Sequence, residues 1–266
     1  MRIVLVLLIL VGLIPLGLAW RANRATSLAH ALTWSVIAWL SWAVAFLLDD
    51  PAQTALAPGR FCALALTSCA GVAVLGARRP HVFAWNFVVL GLFAVMVLPM
   101  VETLFIGTHP IDPLRIFFLA ATLAVVILNY LPTRLGPGAL LLLFVGAGEL
   151  ILLYAPEWFA GFEPALMFDG LLTAIPWLTW LCVRQRGRER SEFDRLWLMF
   201  RDRWGLVWGQ RVREQFNHAA ENTGWPVKLY WQGLRREDAT ALTPSDQDKI
   251  VATLRAALQR FLAADQ

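Results

Sequence analysis

Three acidic residues interrupt long apolar stretches of this chain: Glu102, Glu149 and Asp169. A charged side chain is costly inside a bilayer, so each is a candidate functional group. Glu149 is the strongest candidate, because Gly146 and Gly148 beside it let a neighbouring helix or a small ligand come close. Carboxylates gathered in one layer could bind a cation or relay protons, since mutual repulsion and loss of water favour uptake of a positive charge.

A structural interpretation of the same acids is also open. Arg60 and Arg115 belong to the same predicted side of the molecule as the three carboxylates. Buried charges are usually paired, so either arginine could neutralise an acid and hold two helices together. In that case the acids stabilise the fold and handle no substrate.

Histidines offer a weaker site. His30 and His81 lie near the inner ends of two apolar runs and could together ligate haem or a metal, but their spacing matches no ligand motif. The chain has no serine elbow, phosphate-binding glycine loop, paired-cysteine spacing or zincin helix. We therefore predict no cofactor and no metal, and we favour a role other than catalysis.

The composition is that of a membrane protein. Of 266 residues, 58% are hydrophobic and 16% charged, whereas soluble domains have roughly 45–50% and about 25%. The net charge of +4 comes from arginines placed mainly at the ends of apolar runs and in the tail. This distribution excludes an ordinary soluble enzyme, predicts the lipid bilayer as a partner and does not indicate nucleic acid.

The apolar runs predict an all-α, multi-pass bundle over residues 1–183. About 20 helical residues cross a hydrocarbon core of roughly 30 Å. Seven runs approach or exceed this length, and the predicted spans are approximately 3–20, 27–48, 61–77, 82–105, 113–132, 137–155 and 165–183. The connections are short, so no outer domain large enough to fold alone is expected.

The arginines also predict an orientation. If the amino terminus is outside, most arginines near the spans fall in inner loops, as the positive-inside rule requires. We therefore predict a protein of the cell's inner membrane with a cytoplasmic carboxyl terminus. The alternative for residues 1–19 is a cleaved signal peptide, because Arg2 gives a basic start and Gly17-Leu18-Ala19 resembles a cleavage site.

A basic joint follows the last span. It covers residues 184–190 and contains Arg184, Arg186, Arg188 and Arg190, which should anchor the chain at the inner membrane surface. Beyond it, an apolar stripe with three- and four-residue spacing predicts an amphipathic helix, which Gly205 and Gly209 could divide into two. Trp197, Trp204 and Trp208 in this stripe either anchor the helix in the membrane surface or form the core of a small domain.

Residues 191–266 are predicted to form a small, mostly helical cytoplasmic domain with one strand. The alternation in 227–234 indicates the strand, and Thr243 with Pro244 begins a last helix. A single strand cannot satisfy its own backbone, so the tail must supply another extended segment, pair with another chain or offer this strand as an edge to a partner. Roughly 80 residues are near the lower limit for an independent core. The domain should therefore lean on the membrane, on a second copy or on a partner protein.

These features favour a structural or accessory subunit, or a scaffold, that presents its carboxyl-terminal domain to a protein partner. Short loops, the absence of catalytic motifs and the unpaired strand all support this function. The alternative is a small ion- or proton-coupled transporter or channel that uses the three carboxylates. A more distant third function is a membrane enzyme that handles lipid or haem through the two histidines.

Overall fold

The computed structural model describes residues 2–48, 58–76, 82–106, 113–159, 164–185, 191–237 and 243–262. These ranges are mostly helical, and the first seven helices form a bundle. The helices are α1 (Arg2–Asn23), α2 (Leu28–Leu48), α3 (Pro58–Leu75), α4 (Val82–Ile106), α5 (Pro113–Tyr130), α6 (Gly136–Tyr154), α7 (Ala165–Arg184), α8 (Glu192–Thr223) and α9 (Pro244–Leu262). A short 3-10 helix, Pro156–Phe159, follows α6, and the strands β1 (Val227–Tyr230) and β2 (Gly233–Arg236) lie between α8 and α9.

Six of the described helices are long and apolar enough to cross a membrane: α1, α2, α3, α5, α6 and α7. The predicted fourth span is helical throughout Val82–Ile106, and the part of this helix whose side chains are described contains the apolar segment Ala84–Leu98. Six of the seven predicted spans are therefore confirmed as long apolar helices within the described residues, and a membrane crossing by α4 stays a prediction.

The six long helices form a closed ring in the order α1, α2, α3, α5, α6, α7, in which α7 packs again on α1. Helix α4 packs on α3 at the edge of this ring. Small residues allow two of the closest approaches. A Cβ on Gly71 would lie 2.2 Å from Val126 of α5, and one on Gly138 would lie 2.4 Å from Thr179 of α7.

Residues 191–237 and 243–262, which we call the carboxyl-terminal unit, have a core of their own. Ser191 caps α8 by accepting a hydrogen bond from the Asp194 N–H, and Gly224 ends α8 in the left-handed conformation. The predicted apolar stripe packs against α9, whose inner face carries Ile250, Leu254, Leu258 and Phe261. The predicted break in α8 is present, because Gly205 has non-helical angles of φ 78° and ψ −165°.

The three tryptophans of the stripe are buried in this core. Trp197 and Trp204 are 0% exposed and Trp208 is 5% exposed. A ring covered by protein cannot insert into lipid, so the burial of these tryptophans favours the alternative interpretation, the core of a small domain. Of the four joint arginines, Arg184 ends α7 with its guanidinium 4.4 Å from the centre of the Trp180 ring. Arg186, Arg188 and Arg190 lie outside the described residues.

The segment predicted as one strand is a hairpin. β1 and β2 pair antiparallel, with Tyr230 opposite Gly233 and Leu229 opposite Leu234. The chain reverses at Trp231 and Gln232, and Gly233 takes a φ of 142°, which favours glycine. The tail thus supplies its own second strand.

Both edges of the hairpin are closed by side chains of α8. The Asn217 amide accepts from the Leu229 N–H (2.7 Å) and donates to the Leu229 carbonyl (3.1 Å). On the other edge, the Asp194 carboxylate accepts from the Leu234 N–H (2.8 Å). Of the three possibilities for pairing this strand, the first is therefore confirmed: the tail supplies another extended segment.

Candidate functional site

Arg60, Glu149 and Asp169 form a buried charged cluster at the end of the bundle away from the carboxyl-terminal unit. Arg60 lies in the first turn of α3, Glu149 in α6 and Asp169 in the second turn of α7. Their exposed fractions are 8%, 0% and 4%. The cluster therefore joins α3 to the consecutive helices α6 and α7, with Arg60 89 residues from Glu149 and 109 from Asp169.

One guanidinium binds both carboxylates. Arg60 Nη1 donates to Glu149 Oε1 at 2.9 Å and to Glu149 Oε2 at 3.1 Å. The same nitrogen donates to Asp169 Oδ1 at 2.8 Å, and Nη2 donates to Asp169 Oδ2 at 2.8 Å. The contact with Asp169 has the parallel, two-bond geometry that makes arginine–carboxylate pairs strong and directional. The Phe46 ring lies 5.5 Å from Arg60 Cζ and covers the guanidinium.

The glycines beside Glu149 explain why its carboxylate is fully buried between α6 and the neighbouring helices. A Cβ on Gly148 would lie 2.3 Å from the Phe168 ring of α7, and one on Gly146 would lie 2.5 Å from Leu123 of α5. Both neighbouring helices therefore approach the α6 backbone closely. The space that we expected for a helix or a small ligand is filled at these two positions by neighbouring helices.

This geometry corresponds to the structural interpretation of the acids. To bind a cation or carry a proton, either carboxylate must weaken charge-assisted hydrogen bonds to a guanidinium that is itself buried. The structure brings together Glu149, Asp169 and Arg60. Arg115 lies in the first turn of α5 at the same end of the bundle. The side chain of Glu102, at the corresponding end of α4, lies outside the described residues.

The histidine pair is not tested by the structure. His30 is exposed near the start of α2, and His81 lies outside the described residues. Across the described ranges, no group of three or more histidine, cysteine, aspartate or glutamate side chains is arranged to hold a metal ion. The thiols of Cys69 and Cys182 are buried and that of Cys62 is partly buried.

A second constellation lies at the opposite end of the bundle, where α8 bends at Gly205. In a regular helix the Val207 N–H would bond to the Arg203 carbonyl. Here the Val207 N–H donates to Asn129 Oδ1 at 3.0 Å, and Asn129 Nδ2 lies 3.5 Å from the Trp204 carbonyl. The Tyr130 hydroxyl donates to the freed Arg203 carbonyl at 3.1 Å. Two consecutive residues at the end of α5 thus satisfy the backbone groups around the bend.

Space around the bend requires glycine. A Cβ on Gly205 would lie 2.3 Å from Asn129 Nδ2 and 2.7 Å from the Asn129 carbonyl oxygen. Asn129 is 3% exposed, so its amide has no access to water as a substitute partner. The Gly205 bend and the Asn129 amide form one unit, which we call the α5–α8 joint.

Tryptophan N–H groups add further contacts around the joint. Trp208 Nε1 donates to the Val74 carbonyl of α3 at 3.1 Å, and Trp231 Nε1 donates to the Pro132 carbonyl at 2.7 Å. Trp204 Nε1 donates to the Ser27 hydroxyl at 3.3 Å. These tryptophans therefore connect the carboxyl-terminal unit to three separate segments of the bundle. The unit packs on its own bundle, and the expectation that it leans on the membrane, on a second copy or on a partner stays a prediction.

Charged side chains add a further contact between α8 and the connection that follows α5. Asp202 accepts from the Arg134 backbone N–H at 3.2 Å and lies 3.4 Å from the Arg134 side chain. Arg201, the neighbour of Asp202, donates to the same carboxylate at 2.6 Å. Burial lowers the pKa of the Arg203 guanidinium from its usual range.

Comparison of this chain with protein-family models, with curated proteins and with solved structures gives no match. What can be inferred about function therefore rests on the charged cluster, the joint and the space between them.

Proposed function

We propose that this protein is an accessory subunit or scaffold of a membrane assembly, and that its bundle holds the carboxyl-terminal unit in a fixed orientation for a protein partner. The observation that carries this proposal is the α5–α8 joint. A flexible linker is enough to keep a unit near a membrane, whereas a fixed orientation requires specific contacts. Here the bend of α8 is matched, group by group, by Asn129 and Tyr130 of α5.

The hairpin offers a surface for an acidic partner. Lys228 and Arg235 lie directly opposite each other on the two strands, and like charges in this arrangement destabilise a sheet. Arg235 also lies 5.2 Å from the centre of the Tyr230 ring, and Arg236 beside it is exposed. Glu237 offsets part of this charge at 3.6 Å from Lys228. A partner with an acidic segment would relieve the remaining repulsion, so we assign this face to partner binding.

The proposal includes an orientation. The described arginines at the end of the bundle that carries this unit are Arg21, Arg24, Arg134 and Arg184, whereas Arg2, Arg60 and Arg115 belong to the other end. Arginine excess supports a cytoplasmic location for the first group, with the amino terminus outside the inner membrane. Labelling of single cysteines with a membrane-impermeant maleimide in intact cells tests this orientation. Labelling of a cysteine placed at Arg24 before lysis would contradict it.

The test of function is purification of a tagged copy from its native membrane in mild detergent, with co-purifying proteins identified by mass spectrometry. Four chains are compared: wild type, a deletion of 191–266, Asn129→Ala and Thr122→Ala. Thr122 is the matched control, because it lies on the same helix and its hydroxyl bonds only within that helix, to the Phe118 carbonyl. We expect a stoichiometric partner with wild type and Thr122→Ala, less of it with Asn129→Ala and none with the deletion.

Two outcomes of that purification would contradict the proposal. A wild-type sample without a partner would remove the accessory role. A partner retained equally by all four chains would assign binding to the bundle and not to the carboxyl-terminal unit. Arg235→Glu separates the hairpin from the joint, because it should abolish partner binding and leave the joint intact.

A small ion- or proton-coupled transporter or channel is the second candidate function. It is supported by the position of the charged cluster above an internal cavity, because Leu172, one turn from Asp169 on the same face of α7, lines that cavity. If Glu149 serves transport, Glu149→Gln abolishes proton-coupled or cation flux in proteoliposomes while the protein stays folded. Equal flux in wild type and variant would remove this candidate.

A further inference from the structure

The ring of six helices encloses a cavity of about 260 Å³. Along α2 its wall runs from Leu28 to Trp42, and the 14 helical steps between these residues correspond to roughly 21 Å. The cavity is therefore long in the direction of the bundle axis and narrow across it. It also opens partly to the surroundings, so a molecule can enter.

The wall of the cavity is apolar, and its polar groups are already bonded. The hydroxyls of Ser35 and Thr179 donate to carbonyls of their own helices at 2.9 Å and 3.0 Å. Thr67 donates to the Ala63 carbonyl at 2.8 Å and accepts from Trp42 Nε1 at 3.1 Å. A polar solute finds few partners here, and water is unfavourable for the same reason. Apolar cavities of about 150 Å³ in other proteins stay dry and bind small hydrocarbons.

The two ends of the cavity differ. Near Leu172 it approaches the charged cluster, and an apolar chain gains nothing by advancing into buried ion pairs. The other end is lined by Leu28, Tyr130 and Leu135, at the level of the α5–α8 joint. An apolar molecule with a polar head would therefore enter with its tail first, toward Leu172, and leave its head near Tyr130.

We propose that this cavity binds one acyl chain of a membrane phospholipid. A linear chain fits a long, narrow and apolar space, whereas a broad fused-ring ligand does not. Six surrounding helices are apolar enough to lie in a bilayer, where acyl chains are the most abundant apolar ligand. Burial of the chain replaces van der Waals contacts that an empty cavity lacks, and so stabilises the ring of helices.

The test uses phosphatidylcholine with a photoreactive diazirine at the end of one acyl chain. Wild-type protein is reconstituted with this lipid, irradiated and digested, and the adducts are located by mass spectrometry. We expect adducts on cavity-lining residues such as Trp39 and Leu142, in addition to the exposed Leu128 and Leu143. As the fraction of labelled lipid rises, the interior adducts should reach a plateau of one per chain. Adducts confined to exposed residues would overturn the proposal.

A filled cavity provides the matched comparison. Ala38→Leu with Ala139→Leu places larger side chains in the cavity wall, and Ala121→Leu adds the same group to an exposed position of α5. The first variant should lose the interior adducts and keep the exterior ones, and the second should keep both. Interior adducts that persist unchanged in a folded, filled variant would also overturn the proposal. If the filled variant does not fold, the position and plateau of the wild-type adducts decide.

Discussion

At the scale of single residues, the charged cluster is stable only when all three of its side chains are present. Arg60, Glu149 and Asp169 each lose hydration on burial, and their mutual hydrogen bonds offset this loss only while all three are present. Removing one member leaves a charge without its partner in an apolar surrounding. Removing all three leaves only the packing change. The stability of variants should therefore not follow the number of bonds lost.

We predict that Arg60→Leu destabilises the protein by about 3–5 kcal/mol, because it removes the guanidinium that binds two buried carboxylates. The triple variant Arg60→Leu, Glu149→Leu, Asp169→Leu should recover most of this loss, since apolar side chains of similar volume replace a buried ion pair at little cost. Thermal unfolding in detergent measures both. A triple variant less stable than Arg60→Leu alone would show that the carboxylates have other, favourable partners.

Gly205 gives a second prediction at this scale. Gly205→Ala adds the cost of a backbone conformation that essentially only glycine adopts (φ 78°, ψ −165°), about 1–3 kcal/mol, to a collision with Asn129. Gly224→Ala is the control, because Gly224 also has a positive φ, 70° with ψ 25°, but has open space around its Cα. Both variants should lower the unfolding temperature in detergent, Gly205→Ala by clearly more. Equal losses would mean that the bend accommodates a methyl group and that Asn129 does not fix it.

At the scale of elements, helices and their breaks could be predicted from local sequence patterns, whereas contacts between residues distant in the chain could not. The α8 stripe and its break at Gly205 follow from spacing and from glycine, both of which are local. The second strand was missed because Trp231 and Gln232 continue the alternation through the turn. Arg60 was one of two expected partners for the acids, but 89 residues separate it from Glu149, and no local signal chooses between the arginines.

The functional groups that sequence reasoning missed are long-range as well. Asn129 lies at the end of an apolar run, where a polar residue is common. Its partner, the Val207 N–H of α8, is 78 residues away in the chain. The sequence offers only two weak signals for this contact: an amide side chain near the end of α5 and a glycine, Gly205, inside α8. The cavity has no sequence signal at all, because it depends on the crossing of six helices.

Asn217 allows a prediction about the hairpin. Asn217→Ala removes both bonds to Leu229, so the edge of β1 loses its closing partner, at a cost of about 1–3 kcal/mol. Hydrogen exchange should accelerate at the Leu229 amide and leave the bundle unchanged. Asn222→Ala is the control, because Asn222 is exposed near the end of the same helix. Equal exchange in both variants would mean that water or another group protects this edge.

At the scale of the whole molecule, the two ends of the bundle have different tasks. The charged cluster ties α3 to α6 and α7 at one end, while the joint and the tryptophan N–H groups tie α3 and α5 to α8 at the other. The cavity lies between these two sets of bonds. A bundle fastened at both ends can retain an internal space that side chains alone would not keep open, because closing that space would require one of the ends to move.

This arrangement predicts that the bundle and the carboxyl-terminal unit open as one cooperative body. In wild type, amides of α9 and α3 should exchange with similar opening free energies, because α8 joins α9 to the bundle through the Asn129 and Trp208 bonds. Asn129→Ala should separate them, with α9 exchanging faster and α3 nearly unchanged. Native-state hydrogen exchange at increasing denaturant, with Thr122→Ala as control, measures the separation. If α9 already opens independently in wild type, the joint fixes position without coupling stability, and the orientation of the unit must then come from the Trp231 and Ser27 contacts.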